Sequence, residues 1–338
     1  MPIVLSHATA FRFWRAFTHR RDRIKPAAVA SGLTERLTWT PQLAAELAQL
    51  GIIPSKDRPL DVLFANQALR PAPHARTIPP IKAHVQPAAL PAGSVLQLTD
   101  QVAIVSPELC FLELAGSLSV ERLILAGYCL CGTFALLPDP AHPGKSLIAE
   151  RPALTSAASL EALLAHPVAE RNHRARVAAA RVLNDAASPM EAKVAMLLTL
   201  PTTLGGYGLP QPTLNPDIAL ADQARALYPH TTARPDLYWE HERFDVEYDG
   251  DAHEGEASRT KDAGRRAALE AEGVTVLALT YPQVADDAAF DVLARRIGTS
   301  VGKPVRIRMK DDGHVTRRAN LRRELDLSAQ SSPSDNLL

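Results

Sequence analysis

The chain has little cysteine: Cys110, Cys129 and Cys131 are all it carries in 338 residues. An odd count in a chain this long argues against a disulfide framework and for a reducing cytoplasm. Cys129-x-Cys131 has no second ligand pair at matching spacing, so these thiols read as small buried hydrophobes rather than zinc ligands. Net charge is also missing, because Lys+Arg and Asp+Glu are both 37. That excludes a globally basic nucleic-acid binder, and any basic surface must be local. Aromatic residues make up 5% of the chain while proline numbers 27, a balance that points to many irregular connections. No apolar run approaches the ~20 residues that cross a bilayer. The N-terminus lacks the charged-then-apolar pattern of a secretory signal, so a membrane partner is not expected. The length suffices for two domains with a sizeable core.

What the chain does have is a run of acids between Arg234 and Gly273. It opens Arg234-Pro235-Asp236 and continues Val246-Glu247-Tyr248-Asp249-Gly250-Asp251-Ala252-His253. Phe244 to Tyr248 reads as a short strand, so Glu247 and Asp249 share one face. A hairpin turn in Trp239-Glu240-His241-Glu242-Arg243 brings Asp236 back beside Glu247. Carboxylates gathered at one strand end repel unless something positive sits between them. A hard divalent cation with oxygen ligands, Mg²⁺ or Mn²⁺, is the simplest such partner. A solvated hairpin is the competing reading.

The ordered set Pro-Asp, Glu-x-Asp-Gly-x-x-His, then Asp262, Arg265, Leu269 and Gly273 resembles the Vsr-related branch of the PD-(D/E)XK nucleases, over roughly residues 170 to 297. The resemblance implies a restriction-endonuclease-like mixed sheet flanked by helices and metal-dependent hydrolysis of DNA phosphodiesters. It implies Asp236, Glu247 and Asp249 as metal residues, with Asp249 standing where the wider superfamily keeps a lysine. It also implies an acid reaching the site from the domain's first helix, where Glu191 sits. Glu191 has a second reading, as the acid that complements the dipole of a helix begun by Ser188-Pro189. His253 is a candidate general base or phosphate donor, with a structural hydrogen-bonded histidine as the alternative. Arg265 or Lys261 is placed to stabilise an anionic transition state.

Upstream, Ser6 reads as the cap of a helix whose apolar face is Ala10, Phe13, Trp14 and Phe17. Thr40-Pro41 starts a second helix that stops at Gly51. Leu60–Phe64 and Val95–Val105 read as strands, and Ser106-Pro107-Glu108 and Val120–Leu130 as helices. The Pro-rich stretch from 70 to 93 holds His74 and His84 without metal-like spacing, so each reads as a surface or core histidine. This run of helix, strand, His-bearing loop, Leu90-Pro91 and Ser106-Pro107-Glu108 is similar to the AbiEi-like antitoxin and regulator module, over about residues 3 to 132. The winged helix that commonly precedes that module is not among these residues. That counts against DNA binding by this half, and a protein partner is one role left open to it.

The expected chain is α/β (α+β): a module over 1–137, a Pro- and Ala-rich linker over 138–158, a nuclease-like domain over 159–300, and a basic, partly disordered tail over 301–338. A long helix is expected from Val168 to Asn184. Two functions stay open. One is a cytoplasmic DNA endonuclease using Mg²⁺ or Mn²⁺. The other is a catalytically inactive DNA-binding regulator or antitoxin that keeps the fold as a scaffold. A nuclease acting on RNA is a third.

Overall fold

A computed structural model describes residues 2–21, 24, 33–35, 37–69, 79–86, 89–142, 144–170, 172–250, 256–307 and 312–327. The chain is mixed α/β and divides into two compact units, one holding Met1–Val182 and the other beginning at Leu183. The division therefore falls after residues 138–158, the stretch that composition marks as linker, and that stretch holds a strand.

In the first unit, strand β1 (Ile3–Leu5) leads into helix α1 (His7–Ala16), followed by α2 (Pro41–Gln49), β2 (Leu60–Phe64), β3 (Ile81–Val85), β4 (Val95–Gln97) and β5 (Val102–Val105). Among the described residues these strands form one sheet in the order β3-β2-β1-β5-β4. β1 runs antiparallel to β2 and parallel to β5, and β2 runs parallel to β3. The Pro-rich segment thus contributes an edge strand, which its composition did not reveal. Helices α3 (Pro107–Leu114) and α4 (Val120–Cys131) follow, then the hairpin of β6 (Phe134–Pro138) and β7 (Ser146–Glu150), then α5 (Ala157–Leu164) and α6 (His173–Ala179). Thr40 and Ser106 cap as the sequence predicts, and Ser119 does so as well, each accepting a backbone N–H of the first turn, whereas Ser6 holds the cap position of α1 without a side-chain cap bond. Phe11, Trp14, Phe64, Phe111 and Phe134 are buried, and Trp14 Nε1 donates to the Val105 carbonyl at 2.9 Å. All three cysteines are free and buried.

The single helix expected over Val168–Asn184 is instead a 3₁₀ turn at Pro167–Ala169 and the shorter α6. Asn172 causes the restart, because its side chain accepts from Ala175 N and caps a new helix.

The second unit opens with α7 (Pro189–Thr199), β8 (Thr213–Leu214), β9 (Ile218–Ala219), α8 (Asp222–Leu227) and β10 (Thr232–Ala233). β11 (Leu237–Trp239), β12 (Phe244–Asp249), α9 (Glu256–Ala271), β13 (Thr275–Thr280), α10 (Tyr281–Ala285), α11 (Asp287–Ser300) and α12 (Asp312–Glu324) complete it. Among the described residues its main sheet runs β13-β12-β11-β8. β12 and β13 are parallel, so α9 is the crossover between them, while β11 is antiparallel to both β12 and β8.

The basic stretch expected to be a loose tail is, over 312–324, a packed helix. His314, Arg318, Leu321 and Arg322 of α12 are buried. Arg318 pairs with Asp291 and donates to Tyr207 Oη at 2.8 Å, and Arg322 pairs with Asp287. Gly205, at φ +88°, makes room for this helix: a Cβ there would lie 2.3 Å from the Arg317 carbonyl oxygen. The run from Ser328 onward, expected to be disordered, lies outside the described residues.

Candidate functional site

The site is built on the β11–β12 hairpin. Leu237 faces Val246, Tyr238 faces Asp245 and Trp239 faces Phe244, so the next pair outward is Asp236 and Glu247, as the sequence predicts. The turn closes through Arg243, which takes a left-handed φ of +48° and donates its N–H to the Glu240 carbonyl at 3.2 Å. Alternation puts Asp245, Glu247 and Asp249 on one face of β12. Helix α9 covers that face, and its Ala268 and Leu269 pack with Tyr238 and Val274 in a buried cluster.

Both hairpin carboxylates are buried, Asp236 at 8% exposure and Glu247 at 2%. Asp236 Oδ2 accepts the Tyr248 N–H at 2.8 Å. Arg265 of α9 points its Nη1 between the two acids, 3.6 Å from Asp236 Oδ1 and 3.2 Å from Glu247 Oε1. The same nitrogen donates to the Arg234 carbonyl at 2.6 Å. Arg266 approaches from the next position, its Nε 3.3 Å from Glu247 Oε2. Glu247 Oε1 is buried, and its contact with Arg265 is off hydrogen-bond geometry.

Burial dominates the electrostatics. It raises the Asp236 carboxyl well above the usual range, Glu191 raises it further, and Arg265 opposes both. Glu247 is raised by burial against the pull of Arg265 and Arg266. Glu191 is buried on α7, where its Oε2 accepts from Ala187 N at 2.8 Å and from Asn215 Nδ2 at 2.7 Å. Its own N–H donates to the cap residue Ser188. Glu191 thus belongs to the helix start and also lies near enough to Asp236 to raise its carboxyl.

The other expected residues stand apart. Asp249 has an exposed side chain at the strand end, and its closest ion pair is with Arg266 Nη2 at 3.9 Å. Lys261 is exposed. His253 lies outside the described residues. Among the described residues no group of three or more His, Cys, Asp or Glu side chains is arranged to hold a metal ion. The positive charge between the acids is a guanidinium.

Three contributors were missed. Asp245 is fully buried and raised well above the usual range, first by burial and then by Asp236, and its Oδ2 has no hydrogen-bond partner. Strand alternation alone would have found it. Arg266 was hidden beside Arg265, and Asn215, at φ +50°, sits in a segment with no periodicity.

No family model, no curated protein and no solved structure matches this chain. Among the described residues no helix is long and apolar enough to cross a membrane.

Proposed function

We propose that the second unit is a metal-dependent endonuclease acting on DNA in the cytoplasm, of the Vsr-related PD-(D/E)XK type. The observation that carries this reading is the pairing of Asp236 with Glu247 across the β11–β12 hairpin, both buried and both converging on one positive point. Each buried carboxylate raises the cost of ionising the next, and such perturbed acids cluster at functional sites.

The donor set suits a hard cation. Glu247 Oε1 and Asp245 Oδ2 are buried oxygens without hydrogen-bond partners, and all the donors are carboxylates. Asp236 and Glu247 would hold Mg²⁺ or Mn²⁺, with Asp249 and Glu191 beyond them. The bound ion would supply charge neutralisation at the scissile phosphate and a more acidic water. The chain's own part is positioning. The Tyr248 N–H fixes Asp236, and Arg266 fixes Glu247. Arg265, once displaced from between the acids, is a cation at hand for the phosphate.

A second reading has its own support. Arg265 already lies against the acids, and by the resemblance Asp249 takes the place of the lysine that orients the water. A catalytically inactive regulator or antitoxin that binds DNA through this fold would look the same.

Supercoiled plasmid incubated with the purified protein and Mg²⁺ or Mn²⁺ separates the two. The endonuclease reading expects nicking that falls by about a thousandfold or more in Asp236→Asn, an effect of roughly 4 kcal/mol on the barrier. Binding without nicking, unchanged in Asp236→Asn and Glu247→Gln, supports the regulator. Cleavage of single-stranded RNA in preference to DNA would reassign the substrate.

A further inference from the structure

The first unit holds a second buried acid cluster, unrelated to the hairpin site. It lies beside the edge strand β3, where a cavity of about 410 Å³ is bordered by His7, His84 and Glu113. Its apolar wall is Leu63, Val85, Leu109, Leu112 and Val168. Such a volume is within the range of small-molecule sites. Among the described residues no lysine or arginine lines it.

Asp61 and Thr9 do not line the cavity but tie down its histidine wall. Asp61 of β2 accepts from Thr9 N and Thr9 Oγ1 at 3.1 Å each, and its other oxygen is 2.8 Å from His84 Nε2. The His7 ring lies face to face on His84, centroids 3.4 Å apart. His7 takes a left-handed φ of +46°, a backbone conformation that a histidine adopts at a cost, and one that recurs at functional positions. Glu113 of α3 accepts the His7 N–H through Oε2 at 2.8 Å. Its Oε1 is buried and has no hydrogen-bond partner. Burial raises the Glu113 carboxyl to about 8, and burial with the charge of His84 lowers His7 to about 3. At neutral pH the pair is therefore a carboxylic acid beside a neutral ring, and Asp61 is the anion.

We propose that this cavity binds a small organic cation, an alkylammonium group whose charge is met by Glu113 and whose alkyl body lies on Leu109, Leu112 and Val168. An anion would meet no lysine or arginine in the wall. A buried ammonium needs an ionised partner. Glu113 becomes that partner by losing its proton to solvent, so binding and proton release are linked. The groups facing Glu113 are His7, Asp61, His84 and, on its own helix, Cys110. Lys82, exposed on β3, adds a positive charge that opposes His7 protonation. The ammonium has two sources, a free amine or the lysine side chain of a partner protein.

Calorimetric titration of the full chain tests this with n-butylammonium chloride and with N-acetyl-lysine amide, each in two buffers of different ionisation enthalpy. The expected result is saturable one-to-one binding with close to one proton released at pH 7 and little released at pH 9. Glu113→Gln is expected to weaken binding at least tenfold and abolish the proton. Gly116→Leu adds bulk to the cavity lining and is expected to weaken binding too; its Cβ would meet only the Glu113 carbonyl oxygen, at 3.4 Å. A tenfold preference for the lysine amide identifies a protein side chain as the occupant, and equal or better binding of butylammonium a free amine. The proposal is overturned by no saturable binding of either probe, by butanol binding as well as butylammonium, or by heats showing no proton release. The wild-type proton count decides the matter alone should Glu113→Gln fail to fold.

Discussion

In the second unit Asp236 and Glu247 face Arg265 and Arg266, whereas in the first unit Asp61 and Glu113 face two histidines and Thr9. The two arrangements solve the burial of acids in opposite ways. Arginine stays charged at any working pH, so the hairpin acids are offset by a fixed cation even though burial raises both carboxyls. Glu113 is protonated and His7 neutral near pH 7, so the first cluster can change its charge by moving one proton off Glu113. A fixed counter-charge suits a site that must attract and hold a polyanion. A movable proton suits a site that answers a ligand with a charge of its own.

The comparison can be broken most sharply at Arg265. Arg265→Ala leaves two buried carboxylates without their shared cation, and the second unit is expected to lose about 3 kcal/mol near neutral pH. The remaining acids then hold protons more tightly when folded, so the deficit grows as pH rises and shrinks towards acid. Urea unfolding at several pH values checks both the size and the sign. No loss would mean that the arginine does not neutralise the pair.

Glu113 gives the next effect. Its folded value of about 8 lies above the ordinary 4.5. Stability from this group is therefore full below the ordinary value and is lost as pH rises through 8, with a slope of up to roughly 1.4 kcal/mol per pH unit. Glu113→Gln is expected to flatten the thermal-stability profile of the first unit between pH 5 and 9, while an unchanged profile would place the proton elsewhere. The smallest effect is expected at Thr9→Val. That change removes the hydroxyl that donates to Asp61 and accepts its N–H at 2.9 Å, for about 1 kcal/mol in a melt.

Local chemistry was legible in the sequence, and long-range pairing was not. The caps at Thr40, Ser106 and Ser188 and the return of Asp236 beside Glu247 follow from residue types and strand alternation. The break in the Val168–Asn184 helix was missed because alanine-rich composition favours helix throughout, while Asn172 acts through one side-chain bond. The C-terminal basic run looked solvated because its arginines are answered by Asp287 and Asp291, acids on a different helix. Strand β3 was hidden by proline around it, and with it the place of His84 against Asp61. The guanidinium between Asp236 and Glu247 was out of reach for a related reason: Arg265 was a candidate, but its rotamer depends on how α9 lies over the sheet.

Direct ion binding tests the central claim, that Asp236 and Glu247 form a cation site. In a calorimetric titration with Mn²⁺ near pH 7.5, the wild-type chain is predicted to bind about one ion, and Asp236→Asn with Glu247→Gln to bind none while still melting cooperatively. Equal Mn²⁺ binding by the wild type and the double variant would contradict the account.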